Sequence, residues 1–445
     1  MQTTNLAQTV RTIISQQRVT DLHTHCFAPA FGYKLSIEKT QGAGLLLWGV
    51  DELVTYHYLI AELFRVVGAD QITPDQFYGL SKIEQANLIW DELFIKRTPL
   101  SEACRGVITT LTKLGLDPNT QSLDPIRQWF SEQDVDSYID RVMSVAGVDH
   151  IVMTNEVFDA AERKLWLSDA EALKRDSRFS PVLRIDKLLN DWPSVCQDLV
   201  ELEYAVSEPV TPDTLAEIRR FLNDWLDRTE AIYVATSFGP EFRFVPDGSE
   251  PTECELIIEH ALMPVLAERN LAWALMIGSV RGVNPRLGDA GDMCGKADIS
   301  SLTNLALRFP ENKFMATLLS RESQHELCIA ARKFGNLLPF GCWWFLNNPS
   351  IIEEMTRERI ELLGTSFSPQ HSDARILDQL VYKWDHSRQV LSKVLTEKYE
   401  DLSRAGWIVT EEHIRNDAER LLRNNFRTFV GMDESAMLRV QKTGQ

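Results

Sequence analysis

RVTDLHTH, residues 18–25, is the stretch on which the fold turns: a short apolar run ending in two histidines one residue apart. Successive residues of a strand face opposite sides, so the pattern predicts a strand that delivers His23 and His25 to one face. Seven more runs of strand length follow, each bounded by turn residues. They are GVDHIVMT (147–154), FSPVLRID (179–186), AIYVATSF (231–238), LAWALMIG (271–278), NKFMATLLS (312–320), LLPFGCWWF (337–345) and LLGTSFSPQHSD (362–373). Helical periodicity fills the intervals. Thr211-Pro212-Asp213 opens TLAEIRRFLNDWLDR, QHELCIAARKF follows Glu322, and Asn348-Pro349-Ser350 opens IIEEMTRERIELL with a proline suited to a first turn. Apolar strands alternating with amphipathic helices read as βα units on a parallel sheet. Eight such units, with no glycine-rich phosphate loop after the first strand, favour a closed (β/α)8 barrel over an open doubly wound sheet.

The long interval from Cys26 to Ala146 departs from that rhythm. Its pattern is helical, in DELVTYHYLIAELF (51–64), SKIEQANLIWDELF (81–94) and SEACRGVITTLTKL (101–114). The expected organisation is therefore a barrel with C-terminal helices made of residues 1–25 and 147–445, with residues 26–146 inserted as a helical subdomain over the barrel mouth.

Composition narrows the function classes. Hydrophobic residues at 44% and charged residues at 25% are ordinary for a globular chain of 445 residues. A net charge of −18 repels nucleic acid and anionic membranes, and an anionic substrate would need arginines gathered inside the site. No run approaches the roughly 20 apolar residues of a spanning helix, and the polar N-terminal stretch has no signal-type apolar core. The seven cysteines are scattered, with no C-x-x-C pair, which points to a reducing cytoplasmic compartment.

Barrel active sites lie at the C-terminal ends of the strands, where His23 and His25 are expected. Two imidazoles presented together suit a divalent ion that takes a carboxylate next. Asp373, in PQHSDAR (369–375), ends the eighth run, and strand eight neighbours strand one in a closed barrel. Asp373 is thus the expected third ligand, with an N-cap for the helix ARILDQLVYKW as the alternative role. His371 suits either a place beside the metal or ordinary packing.

The H-x-H of strand one with the Asp of strand eight resembles the amidohydrolase superfamily. Within it the chain resembles the uronate isomerases, which interconvert D-glucuronate with D-fructuronate and D-galacturonate with D-tagaturonate. The likeness runs over nearly the whole chain. It is densest in TDLHTH (20–25), DELVTYHYL (51–59), KFMATLLSRESQHEL (313–327), FGCWWF (340–345) and PQHSDAR (369–375). The pattern is that of the shorter, divergent branch, in which the insertion carries T-Y-H-Y. Larger members have His-Ile-Gly at strand five where this chain has Met276-Ile277-Gly278, so whatever that histidine does is absent here.

The resemblance implies one divalent ion, expected to be Zn²⁺, on His23, His25 and Asp373, with Asp373 also assisting ring opening. It implies that Tyr58 shuttles the C–H proton and His57 handles protons on oxygen, since aldose–ketose conversion passes through an enediol. A phenol is a weak base at neutral pH, and Arg375 is the expected cation beside Tyr58. Arg184 and Arg321, each just past an apolar strand, are expected to grip the sugar-acid carboxylate, with Arg281 third. Of Trp343 and Trp344, one is expected to line the sugar and the other to pack outward. Asp289 and Asp292 resemble a substrate-side loop without an assigned role. The expected partner is a small hexuronate, and the expected assembly a homo-oligomer. A hydrolase of the same superfamily and a non-catalytic sugar-acid sensor are the competing readings.

Overall fold

The computed structural model describes residues 3–35, 40–245 and 250–432. Seven of the expected runs form one parallel sheet, in the order in which they occur along the chain. The strands are β1 (Val19–Thr24), β2 (Val148–Glu156), β3 (Phe179–Arg184), β4 (Tyr233–Phe238), β5 (Ala272–Ile277), β6 (Lys313–Leu318) and β7 (Leu337–Pro339). Strands buried on both faces can be apolar at every position, and all six residues of β5 are buried. Alternation then sorts them. Ala272, Ala274 and Met276 join a cluster on one side with Leu22, Val152 and Met315, whereas Trp273, Leu275 and Ile277 join the larger core under the helices.

The eighth run, 362–373, is not a strand. Helix Pro349–Leu363 uses its first residues, Pro369 has no N–H to donate, and Asp373 has a left-handed backbone (φ 50°) that breaks an extended run. This irregular segment still bonds to both edges of the sheet. On one side Ser368 N–H donates to Pro339 O (3.1 Å) and Gly341 N–H to Ser368 O (2.8 Å). On the other, Asp373 N–H donates to His23 O (3.1 Å) and His25 N–H to Ala374 O (2.7 Å). The sheet is thus curled, with its two edges tied through this segment.

β7 is also shorter than its run. Gly341 (φ 68°) and Trp344 (φ 45°) take left-handed conformations directly after it, so the tryptophans lie beyond the strand. Between β1 and β2 the chain is largely helical, including Val50–Val54, His57–Val66, Lys82–Trp90, Glu102–Leu114 and Val135–Ala146. The single helix expected over 51–64 is broken at Tyr56, whose backbone is extended, and Thr55 Oγ1 donates back to Asp51 O (2.6 Å). Helix Gln379–Arg404 packs against the first helix, Thr3–Gln16, and against Glu102–Leu114, which buries much of its length. Among the described residues no helix is long and apolar enough to cross a membrane, and all seven cysteines are free.

Candidate metal centre and active-site cleft

His23 and His25 emerge at the end of β1 on the same side, while Thr24 between them turns away and donates to Val152 O (3.0 Å). The left-handed turn at Asp373 aims its carboxylate back at them. Asp373 Oδ1 stands 3.7 Å from His23 Nε2 and 3.4 Å from His25 Nε2. Ligand atoms of the three residues lie within 4.8 Å of one another. Each imidazole turns its other nitrogen to a hydroxyl, His25 Nδ1 to Thr154 Oγ1 (3.1 Å) and His23 Nδ1 to Tyr233 Oη (3.5 Å). Such outer partners orient metal-binding imidazoles.

The electrostatics suit a cation. Burial lowers the pKa of both histidines and so keeps their lone pairs free. Burial pushes Asp373 the other way, yet the hydrogen bond of His25, with the neighbouring His23 and the Lys383 ammonium, holds its carboxyl well below the usual range. Two neutral imidazoles and one carboxylate form a donor set for a divalent metal. Asp373 is not the N-cap of the next helix, which begins at Gln379.

Around this trio lies a cleft lined by Tyr56, His57, Arg184, Ser237, Met276, Arg281, Trp343, Trp344 and Arg375. Arg184 donates through Nε (2.9 Å) and Nη2 (2.6 Å) to Asp186 Oδ2, and through Nη2 to Ser237 Oγ (3.1 Å). Arg375 donates to Asp289 (2.8 Å). Arg281 pairs with Asp292 (2.5 Å) and stacks over Trp344 at 5.1 Å. The loop bearing Asp289 and Asp292 is thereby tied to the cleft, and Tyr78 Oη holds it from the helical side through Leu287 O (2.5 Å). Met276 lies in the cleft wall, where its soft thioether is a poor ligand for an ion held by imidazole and carboxylate.

Several placements differ from expectation. Arg321 is outside the cleft: its side chain is 56% exposed and doubly bonded to Glu354, because the single turn Arg321–Ser323 carries it over helix Pro349–Leu363. Both tryptophans line the cleft, since the chain has left the strand before reaching them. Tyr58 sits behind Tyr56 and His57, its hydroxyl buried without a hydrogen-bond partner, and burial pushes its pKa well up. Arg375, bonded to Asp289, acts on Tyr58 as the expected cation, and a second one, Lys383 Nζ, lies over the Tyr58 ring 6.0 Å from its centre. His57 Nε2 is also buried and unpartnered, and burial lowers its pKa to about 3. His371 is fully buried between His23 and Phe340, with both nitrogens unpartnered. Tyr56, Ser237 and Asp186 were not legible as site residues. Only the proximity of Tyr56 to His57 was a signal.

No protein-family model matches the chain, and no curated protein does. Among solved structures, a uronate isomerase from Bacillus halodurans C-125 superposes with a TM-score of 0.92 at 46% identity, covering 99% of each chain. A uronate isomerase from Thermotoga maritima (TM-score 0.73, 15% identity, 96% of this chain and 97% of that one) shares the fold. So does a glucuronate isomerase from Caulobacter crescentus (TM-score 0.74, 14% identity, 97% and 95%). With nearly half of its residues identical to the Bacillus halodurans enzyme over almost the full length, the chain belongs to the uronate isomerase family.

Proposed function

We propose that this isomerase interconverts D-glucuronate with D-fructuronate and D-galacturonate with D-tagaturonate through a cis-enediol. The observation that carries the reading is the meeting of His23, His25 and Asp373 with Arg184, His57 and Arg375 in one cleft. The curled sheet is read as a (β/α)8 barrel whose eighth position is the segment 366–374. Residues 26–146 are read as a helical insertion over its mouth.

Zn²⁺ is the ion that best suits two imidazoles and a carboxylate, and when bound it would polarise a substrate oxygen. Arg184 binds the substrate carboxylate, and its own bonds to Asp186 and Ser237 hold the guanidinium in place. Asp373, ionised, takes the proton of the C1 hydroxyl and returns it to the ring oxygen as the bond from C1 to that oxygen breaks. Tyr58 moves the proton between C2 and C1, and His57, neutral in its buried setting, relays the proton between the two oxygens. Arg375 faces the developing enediolate charge.

Incubating the purified zinc-loaded protein with D-glucuronate or D-galacturonate in heavy water tests this directly. The expected product is the ketose, with solvent deuterium at C1 to the extent that the transferred proton exchanges, and at C2 only in aldose re-formed by the reverse reaction. A hydrolase would leave these free sugar acids untouched, and no ketose from either overturns the proposal.

The two arginines expected to hold the carboxylate separate in the same assay. Arg184→Met is expected to lower kcat/KM by about 100-fold or more, the scale of a lost charge-assisted pair. Arg321→Ala is expected to stay within about twofold, as an exposed ion pair with Glu354 contributes little. Equal losses in the two variants would refute the placement.

A further inference from the structure

Lys383 lies in helix Gln379–Arg404 behind the cleft, outside every role assigned so far. Its side chain is 2% exposed. The ammonium donates to the carbonyl of Ser372 (2.5 Å), an oxygen that Asn347 Nδ2 also approaches at 3.5 Å. From the opposite end, Ser372 N–H donates to Asp21 Oδ1 (3.0 Å), and Asp21 Oδ2 accepts from the indole of Trp384, the residue after Lys383 (2.8 Å). Residue 372 is therefore gripped at both its N–H and its C=O by one buried assembly. The next residue is Asp373, in a left-handed conformation that is uncommon for an L-residue and that aspartate tolerates better than most.

The same ammonium stands 6.0 Å from the centre of the Tyr58 ring. A cation over a phenol ring is attracted to its electron-rich face, and that attraction grows as the phenol gives up its proton. The negative groups acting on Lys383 are Asp373 and Asp21, and Arg375 opposes them. An ammonium buried with one main acceptor is a costly way to fill a core position, where a methionine of similar shape would pack without that cost. What the charge does reach is Asp373 and Tyr58.

We propose that Lys383 is a positioning residue of the active site. It clamps the 372–373 backbone so that the Asp373 carboxylate faces His23 and His25, and it sets a fixed positive charge beside Tyr58. The catalytic half of this assignment rests on the reading of the cleft as a uronate isomerase site. The zinc half does not.

Three proteins decide it: the parent, Lys383→Met and Lys383→Arg, each measured for turnover of D-glucuronate and for zinc affinity by competition with a chromophoric chelator. At saturating zinc, Lys383→Met is expected to lower kcat by about 10–100-fold with KM within about threefold. Its zinc affinity is expected to fall by about tenfold or more. Lys383→Arg, which keeps the charge, is expected to lie closer to the parent in both readouts. Parental values for Lys383→Met, or equal losses in the two variants, overturn the assignment. Should Lys383→Met fail to fold by circular dichroism, Lys383→Gln takes its place. It keeps a donor for Ser372 O but no charge, so zinc affinity should stay near parental while kcat falls about tenfold. An unchanged kcat there overturns the assignment. A parent that leaves D-glucuronate unconverted removes the isomerase reading instead, and the zinc comparison still decides the clamp.

Discussion

Asp373→Asn is expected to lower turnover by about 1,000-fold and to weaken metal binding by at least about tenfold. The change is nearly isosteric, so the left-handed turn and the bonds of residues 372 and 374 can stay in place. What it removes is the negative charge facing His23 Nε2 at 3.7 Å and His25 Nε2 at 3.4 Å. Burial keeps the two imidazoles neutral, so Asp373 is the charged member of the ligand set, and an amide there leaves a divalent ion with no counter-charge. Metal content by elemental analysis and turnover on D-glucuronate should fall together. His23→Ala should lose occupancy as well, because it removes a ligand outright. Full occupancy in both variants would refute the ligand set.

For Tyr58→Phe the expected result is a loss of about 100-fold or more in kcat, the scale of a removed acid–base group, with a much smaller change in KM. The structure makes this an unusually clean substitution. The Tyr58 hydroxyl is buried and makes no hydrogen bond of good geometry, although the Tyr56 side chain lies near it, so deleting one oxygen costs the folded state little. Thermal stability should therefore be kept or slightly raised while turnover falls. Burial pushes the phenol pKa well up, so proton transfer has to be assisted by the neighbouring cations Lys383 and Arg375. Near-parental kcat in this variant would remove Tyr58 from the mechanism and leave Tyr56 or His57 as the proton carrier.

Much of this was legible along the chain. Buried parallel strands take apolar residues on both faces, and so β2 to β6 stand out as largely apolar runs at close to their true limits, while β1 is marked by its alternation. The period of two in a strand is equally local, and it was enough to place His23 and His25 together. Asp373 followed from strand order, since the last βα unit returns to the first.

What the sequence left open was decided by contacts between distant residues. The left-handed turn at Asp373 follows residue 372, which Asp21 and Lys383 hold at its N–H and C=O, and these long-range bonds are not visible in PQHSDAR. Lys383 carries no sequence signal of its own; its burial follows from helix Gln379–Arg404 being covered on several sides. Arg184 and Arg321 look alike in sequence, each just after an apolar strand. One turns into the cleft, where Asp186 and Ser237 hold it, and the other runs out to Glu354. Strands and their facing histidines were settled by local periodicity, which depends only on backbone geometry. The direction of each charged side chain was settled by tertiary structure, because a buried charge such as Lys383 or Arg184 needs compensating partners, whereas a side chain that reaches the surface, such as Arg321, stays hydrated.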